Sequence, residues 1–154
     1  MSDNQEATSD SMSINAELAQ RIQEELGENV YLCYQCAKCT SGCPIGEFLD
    51  WQPNQIMRAL QLGQEDIALE SETPWLCASC QTCSTRCPQG LDITAIMEFL
   101  TREALDRGIE SPVPQVERFN EAFLREVRLF GRAYEPGLMV ELGLRDPKSL
   151  LGDM

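Results

Sequence analysis

Apolar side chains recur along this chain every three to four residues and almost never in alternation, the mark of helices and not of strands. Ile14, Leu18, Ile22 and Leu26 stand four apart and Gly27 closes the stripe, predicting an amphipathic helix over 14–26 whose apolar face must pack on something. Pro53 sits at a plausible helix start, with Ile56, Met57 and Leu60 on one side and Gly63 as the stop, about three turns in all. A short helical piece is expected near Glu65 to Leu69. Asp92 can N-cap a helix striped by Ile93, Ile96, Met97, Leu100 and Ala104 and ended by Gly108. SPVP at 111–114 breaks the chain, and Val116, Phe119, Phe123, Val127 and Phe130 then predict a helix over 115–130 ended by Gly131. Beyond Pro136 the tail is mixed, with two short helical turns separated by Asp146 and Pro147.

Three segments follow from this pattern. Residues 1–12 are polar, acidic and poor in large apolar side chains, and are expected to be a disordered tail. Residues 13–135 form a mostly helical domain, and 136–154 a C-terminal tail suited to partner contact. A chain of 154 residues buries roughly two-thirds of its unfolded surface, so a modest core is available.

The apolar stripes are interrupted by two runs that hold all 8 cysteines. One reads LCYQCAKCTSGCP over 32–44, the other LCASCQTCSTRCP over 76–88, with corresponding cysteines 44 residues apart. Each run is followed by an amphipathic helix, so two metal sites on one pseudo-symmetric core are implied. No segment has the basic and apolar regions of a secretory signal or the apolar length of a membrane span, so the cytoplasm is the expected compartment, and no direct membrane insertion is expected. In that reducing setting eight thiols point to metal or redox chemistry before disulfides.

Spacing narrows the metal. C-x2-C-x2-C-x3-C-P is the ligation pattern of two-cluster ferredoxins, in which the fourth cysteine serves the other cluster. Three thiols two residues apart can face three corners of a cube from one tight loop, whereas the fourth lies too far along, and the proline turns it away. On this logic Cys33, Cys36, Cys39 and Cys87 hold one 4Fe-4S cluster, and Cys77, Cys80, Cys83 and Cys43 hold the other. Structural zinc normally takes two separated C-x2-C pairs and leaves the third cysteine and the proline unexplained. A thioredoxin-like C-x-x-C would stand beside a strand and a helix, a pattern absent here.

Charge and missing residue types restrict the rest. Lys plus Arg number 12 against 25 Asp plus Glu, a formal charge of -13, which argues against nucleic acid and favours a basic docking surface on a partner. The chain has no histidine, hence no usual general base. With each cube filled by four cysteines no iron is open to substrate, and the expected work is one-electron transfer. Lys38, Thr40, Ser41, Ser79, Thr82, Ser84, Thr85 and Arg86 are candidates to tune the clusters, against the plainer reading that such residues cap turns. Trp51 and Trp75 are expected in the core, Met12, Met57, Met97 and Met139 in packing, and Tyr31 and Tyr34 in loop packing.

The stretches YLCYQCAKCTSGCP, PNQIMRALQLG and WLCASCQTCSTRCPQGLDITAIMEFLTREA together resemble the C subunit of heterodisulfide reductases, over roughly residues 14–135. The resemblance implies an all-α, alpha-helical ferredoxin-like fold with two 4Fe-4S clusters, unlike the two-hairpin form of small bacterial ferredoxins. It also implies a complex in which the C subunit relays electrons between two partners, the flavin-bearing, iron-sulfur A subunit, on one side, and on the other the disulfide-processing, catalytic B subunit. All eight cysteines match the family's ligand positions. No Cys-Cys-Gly motif and no G-x-G-x-x-G is present, so a relay without an active site of its own is expected. The alternatives are a freestanding two-cluster carrier, an iron-sulfur subunit of a dehydrogenase complex such as succinate or anaerobic glycerol-phosphate dehydrogenase, and a zinc-stabilised interaction module. As a relay subunit the chain needs exposed apolar surface, for which the Ile14 helix and the Gly137–Leu151 tail are the candidates.

Overall fold

The structure, a computed structural model, describes residues 17–145. The expected N-terminal tail, Met12, Ile14 and the segment from Asp146 onward lie outside the described residues. Helices α1 (Glu17–Leu26), α2 (Lys38–Ser41), α3 (Pro53–Gln61), α4 (Glu65–Glu70), α5 (Glu72–Leu76), α6 (Thr82–Arg86), α7 (Ile93–Asp106), α8 (Pro114–Phe130) and α9 (Glu135–Arg145) follow one another with no strand among the described residues.

The predicted starts and stops are present. Pro53 is the first residue of α3, where its missing N–H is not needed. Asp92 caps α7 by accepting the Ala95 N–H at 3.1 Å. Gly27, Gly63, Gly108 and Gly131 follow their helices with φ between 67° and 74°, a left-handed exit that side chains rarely take.

One core is built from α1, α3, α4, α5 and α7. Leu18, Ile22, Ile56, Met57, Leu60, Ile96, Phe99 and Leu100 are each at most 2% exposed, and burial of a side chain of that size contributes about 1.5–3 kcal/mol. A polar cluster locks α1 and α4 onto α7. The Glu103 carboxylate accepts from Arg21 and, at 2.6 Å, from Arg107 Nε, while Arg107 Nη1 reaches Glu65 Oε2 at 2.8 Å. Glu65 also accepts the Leu18 N–H at 3.0 Å and so closes the first turn of α1.

Two expectations change. Trp75 is in the core, but Trp51 is 38% exposed, its N–H donating to Asp50 and its carbonyl accepting from the buried Thr73 hydroxyl. In α8 the buried residues are Ala122 and Glu126, whereas Phe119, Phe123 and Phe130 are 45%, 36% and 59% exposed. The period of three and four is real, but α8 rests mainly on α9, and nothing among the described residues covers the phenylalanine stripe. Gly137 permits the α8–α9 contact, since a Cβ there would stand 2.8 Å from Glu126 Oε1 and 2.7 Å from the Tyr134 ring.

Candidate functional site

The cysteine runs fold as two copies of one loop. Gln35 and Ala37 in the first have φ of 61° and 58°, and their equivalents Ser79 and Gln81 in the second have 48° and 62°. A left-handed residue costs about 1–2 kcal/mol when it is not glycine, so four at matched positions are a strain the fold imposes around the middle cysteine of each run. Such reversals of hand leave successive N–H groups in a concavity suited to anions. A single turn, α2 or α6, then carries the third cysteine, and the two turns pack on each other.

Matched hydroxyls tie each loop to the helix that follows. Thr40 Oγ1 accepts the N–H of Asn54 at 3.3 Å and donates to Asn54 Oδ1 at 2.5 Å. Ser84 Oγ accepts the N–H of Thr94 at 3.0 Å and donates to Asp92 Oδ1 at 2.7 Å. Asn54 and Thr94 are the second residues of α3 and α7, so each hydroxyl satisfies an amide that no helix can satisfy internally. For these two residues the capping role accounts for the contacts seen.

Thiols from both runs come together. Cys77, Cys80 and Cys83 line one apolar pocket with Cys43 of the first run, and Thr73, Thr94, Ile93 and Met97 are among its other walls. Burial pushes the Cys77 thiol up, and the neighbouring Cys83, Cys43 and Cys80 push it further, against a backbone N–H of Ser79. On the other side the Tyr34 hydroxyl is pushed up by desolvation and then by Cys36, Cys87 and Cys33. Cys39, the most buried thiol at 6% exposure, is raised by burial. Cys36 and Cys80 are exposed.

Crowded, partly buried thiols repel one another as thiolates and need a cation among them. Around the apolar space lined by Cys43, Cys77, Cys80 and Cys83 the donor set is of the kind an iron-sulfur cube takes, thiols from two loops with hydrogen-bonding groups at the sulfurs. Gln35 Nε2 donates to Cys33 Sγ at 3.4 Å, and the Thr82 and Thr94 hydroxyls lie 3.4 Å from Cys80 and Cys83 Sγ. The Thr82 contact lowers the Cys80 thiol. A cube held by four cysteines supplies a one-electron couple and no open coordination position. Of the remaining tuning candidates, Ser79 bonds Glu98 at 2.9 Å, Ser41 and Thr85 bond backbone carbonyls, and Lys38 and Arg86 are exposed.

Two positioning residues had no motif to announce them. Asp50 accepts the N–H groups of Glu72 and Thr73 at 2.9 and 3.2 Å and the Thr73 hydroxyl at 2.9 Å, so a residue just after the first run caps the helix that leads into the second. Gln61 donates to the carbonyls of Val30 and Cys33 at 3.0 and 2.7 Å, clamping the entry to the first run onto α3.

This helical frame with paired thiol loops defines a two-cluster iron-sulfur protein of the helical ferredoxin class, and residues 32–92 match the 4Fe-4S dicluster domain family. Its cofactors are two 4Fe-4S clusters. Within that class the chain is similar to heterodisulfide reductase C subunits. It is 30% identical over 100 residues to the C subunit of the H(2):CoB-CoM heterodisulfide,ferredoxin reductase from Methanothermobacter marburgensis, a match covering 65% of this chain and 54% of the relative. It is 35% identical over 87 residues to the iron-sulfur C 2 subunit of the CoB--CoM heterodisulfide reductase from Methanocaldococcus jannaschii, covering 56% and 46%. Against the C subunit of the ferredoxin:CoB-CoM heterodisulfide reductase of Methanosarcina acetivorans it is 34% identical over 89 residues, covering 58% and 35%. The chain thus spans about half the length or less of these curated relatives. The resemblance drawn from the sequence is shown by these matches. No helix among the described residues is long and apolar enough to cross a membrane.

Proposed function

We propose that this chain is the relay subunit of a heterodisulfide reductase-like complex in the cytoplasm. It passes single electrons between two partners, the flavin-bearing A subunit, on one side, and on the other the disulfide-processing B subunit. Cys33, Cys36, Cys39 and Cys87 hold one cluster, and Cys77, Cys80, Cys83 and Cys43 the other. The observation that carries the ligation is the pocket that Cys43 shares with the three thiols of the second run. Residues 13–135 make the cluster domain, and the segment from 136 serves partner contact.

The subunit reading is favoured over a freestanding carrier by apolar surface. Phe119, Phe130, Tyr134, Met139, Val140 and Leu144 are 45–81% exposed on α8, α9 and the turn between them, more than a lone soluble chain usually leaves in one region. Of the two surfaces expected for partners, the described part of the first, α1, turns Leu18 and Ile22 into the core. The second retains Met139, Val140 and Leu144 at the surface.

Two measurements test this. Iron, acid-labile sulfide and zinc are determined on protein purified without oxygen, with electron paramagnetic resonance before and after dithionite. About eight irons and eight sulfides with interacting reduced signals are expected, whereas about two zinc ions and no inducible signal would remove the redox reading. Size-exclusion chromatography with and without the candidate flavin-bearing and disulfide-processing partners then separates the relay, which co-elutes, from a carrier that stays monomeric.

A further inference from the structure

Gly42 and Arg86 hold equivalent positions in the two runs, 44 residues apart, and they touch. A Cβ on Gly42 would stand 2.7 Å from Arg86 Nη1, 2.9 Å from Cδ and 3.1 Å from Cζ. The φ of Gly42 is -105°, open to any residue, so glycine here makes room for the guanidinium. The contact is made by the far end of the Arg86 side chain against the backbone of Gly42, so the guanidinium reaches across from the second run to the first. The helical turns α2 and α6, which precede Gly42 and hold Arg86, pack on each other.

Chain order adds a second argument. Gly42 lies between Cys39 and Cys43, and Arg86 between Cys83 and Cys87. On the ligation proposed above, the thiols of each pair belong to different clusters. Arg21, Arg102, Arg107 and Arg125 are paired with carboxylates, while Arg86 has no carboxylate partner among the described residues. In a chain of formal charge -13 its positive charge is left to act on the clusters.

The geometry points to Arg86 as a shared electrostatic tuner that raises the reduction potentials of both clusters together. Each cluster gains one negative charge when it takes up an electron, and a fixed cation stabilises that form by Coulomb attraction. A charge that reaches from one run to the other acts on both clusters, whereas one confined to a single loop would act on its own cluster. Gly42 is the positioning residue that keeps the guanidinium there. The inference rests on the proposed ligation.

The test is a potentiometric titration of the full chain, purified without oxygen and followed by electron paramagnetic resonance. Arg86→Gln is expected to lower both midpoints by similar amounts, and Arg86→Lys to leave them closer to wild type. Gly42→Ala, which only pushes aside the flexible end of Arg86, is expected to lower both by less. Unmoved midpoints in Arg86→Gln, or a shift in one cluster alone, overturn the inference. Should Arg86→Gln lose a cluster, Gly42→Ala decides by the same criterion, since it retains the charge and moves only its position. Wild-type protein without about eight irons defeats the ligation reading itself, while a full complement with unmoved midpoints defeats the tuner alone.

Discussion

Thr40 and Ser84 stand at equivalent places in the two cysteine runs and do the same work: each accepts the second N–H of the helix that follows, from Asn54 at 3.3 Å and from Thr94 at 3.0 Å. Each bond therefore fastens a cluster loop to a core helix. Replacing a capping hydroxyl costs about 1 kcal/mol, so Thr40→Val and Ser84→Ala are each expected to lower stability by about that amount, with nearly additive effects in the double variant because the two caps share no partner. Guanidinium unfolding under argon measures this, and a strongly non-additive double variant would contradict independent anchors.

Cys43 and Cys87 decide whether the ligands are exchanged between runs. Cys43 lines the pocket of Cys77, Cys80 and Cys83, and Cys87 acts on Tyr34 together with Cys33 and Cys36. Cys43→Ser is expected to damage the cluster of the second run and Cys87→Ser that of the first. Paramagnetic resonance of each reduced variant reads which signal is lost. Loss of the local cluster in both would replace exchanged ligation with two self-contained loops.

Asp50 has a single structural duty with two consequences. Its carboxylate caps α5, and it orients the buried Thr73, which lines the pocket beside Cys77 and Cys80. Asp50→Ala is expected to cost about 1 kcal/mol as a lost cap and to slow reconstitution of the second-run cluster more than that of the first. Equal slowing of both would show that Asp50 contributes general stability only.

The elements most legible in the sequence are those whose signals are local. The stripe of α7 and its cap Asp92, Pro53 opening α3, and the doubled cysteine spacing each depend on residues a few positions apart, and the structure realises all three. What could not be read depends on distance along the chain. Asp50 reaches Thr73 across 23 residues, and Gln61 reaches Val30 across 31, with no periodicity to mark either. The α8 stripe shows a further limit, since periodicity says that a face is apolar and not what covers it. Trp51 belongs here too: its bulk suggests core, but it is 38% exposed while its backbone bonds Asp50 and the distant Thr73. The hydroxyls Thr40 and Ser84 were legible as loop residues near the sulfurs, but their caps became visible only once the following helices were in place.

Glu103 is buried, with 3% of its side chain exposed, and is compensated by Arg21 and Arg107. The neighbouring carboxylates Glu65 and Glu103 hold the Arg107 guanidinium above its usual range. For Arg21, desolvation is the largest influence and acts downward, but Glu25 and Glu103 together prevail and raise it. Either arginine alone still neutralises the Glu103 carboxylate, so Arg21→Met and Arg107→Met are each expected to be mild. The double variant leaves Glu103 charged and without a partner in the α1–α4–α7 junction. An uncompensated buried carboxylate costs about 3–5 kcal/mol, so the loss should far exceed the sum of the singles. Adding Glu103→Leu to the double variant should then restore much of the stability, because the buried charge is gone and an apolar side chain of similar reach fills its place. Thermal unfolding of the wild type and the four variants completes the test, and a double variant no worse than the sum of its singles would show that water, not the second arginine, compensates Glu103.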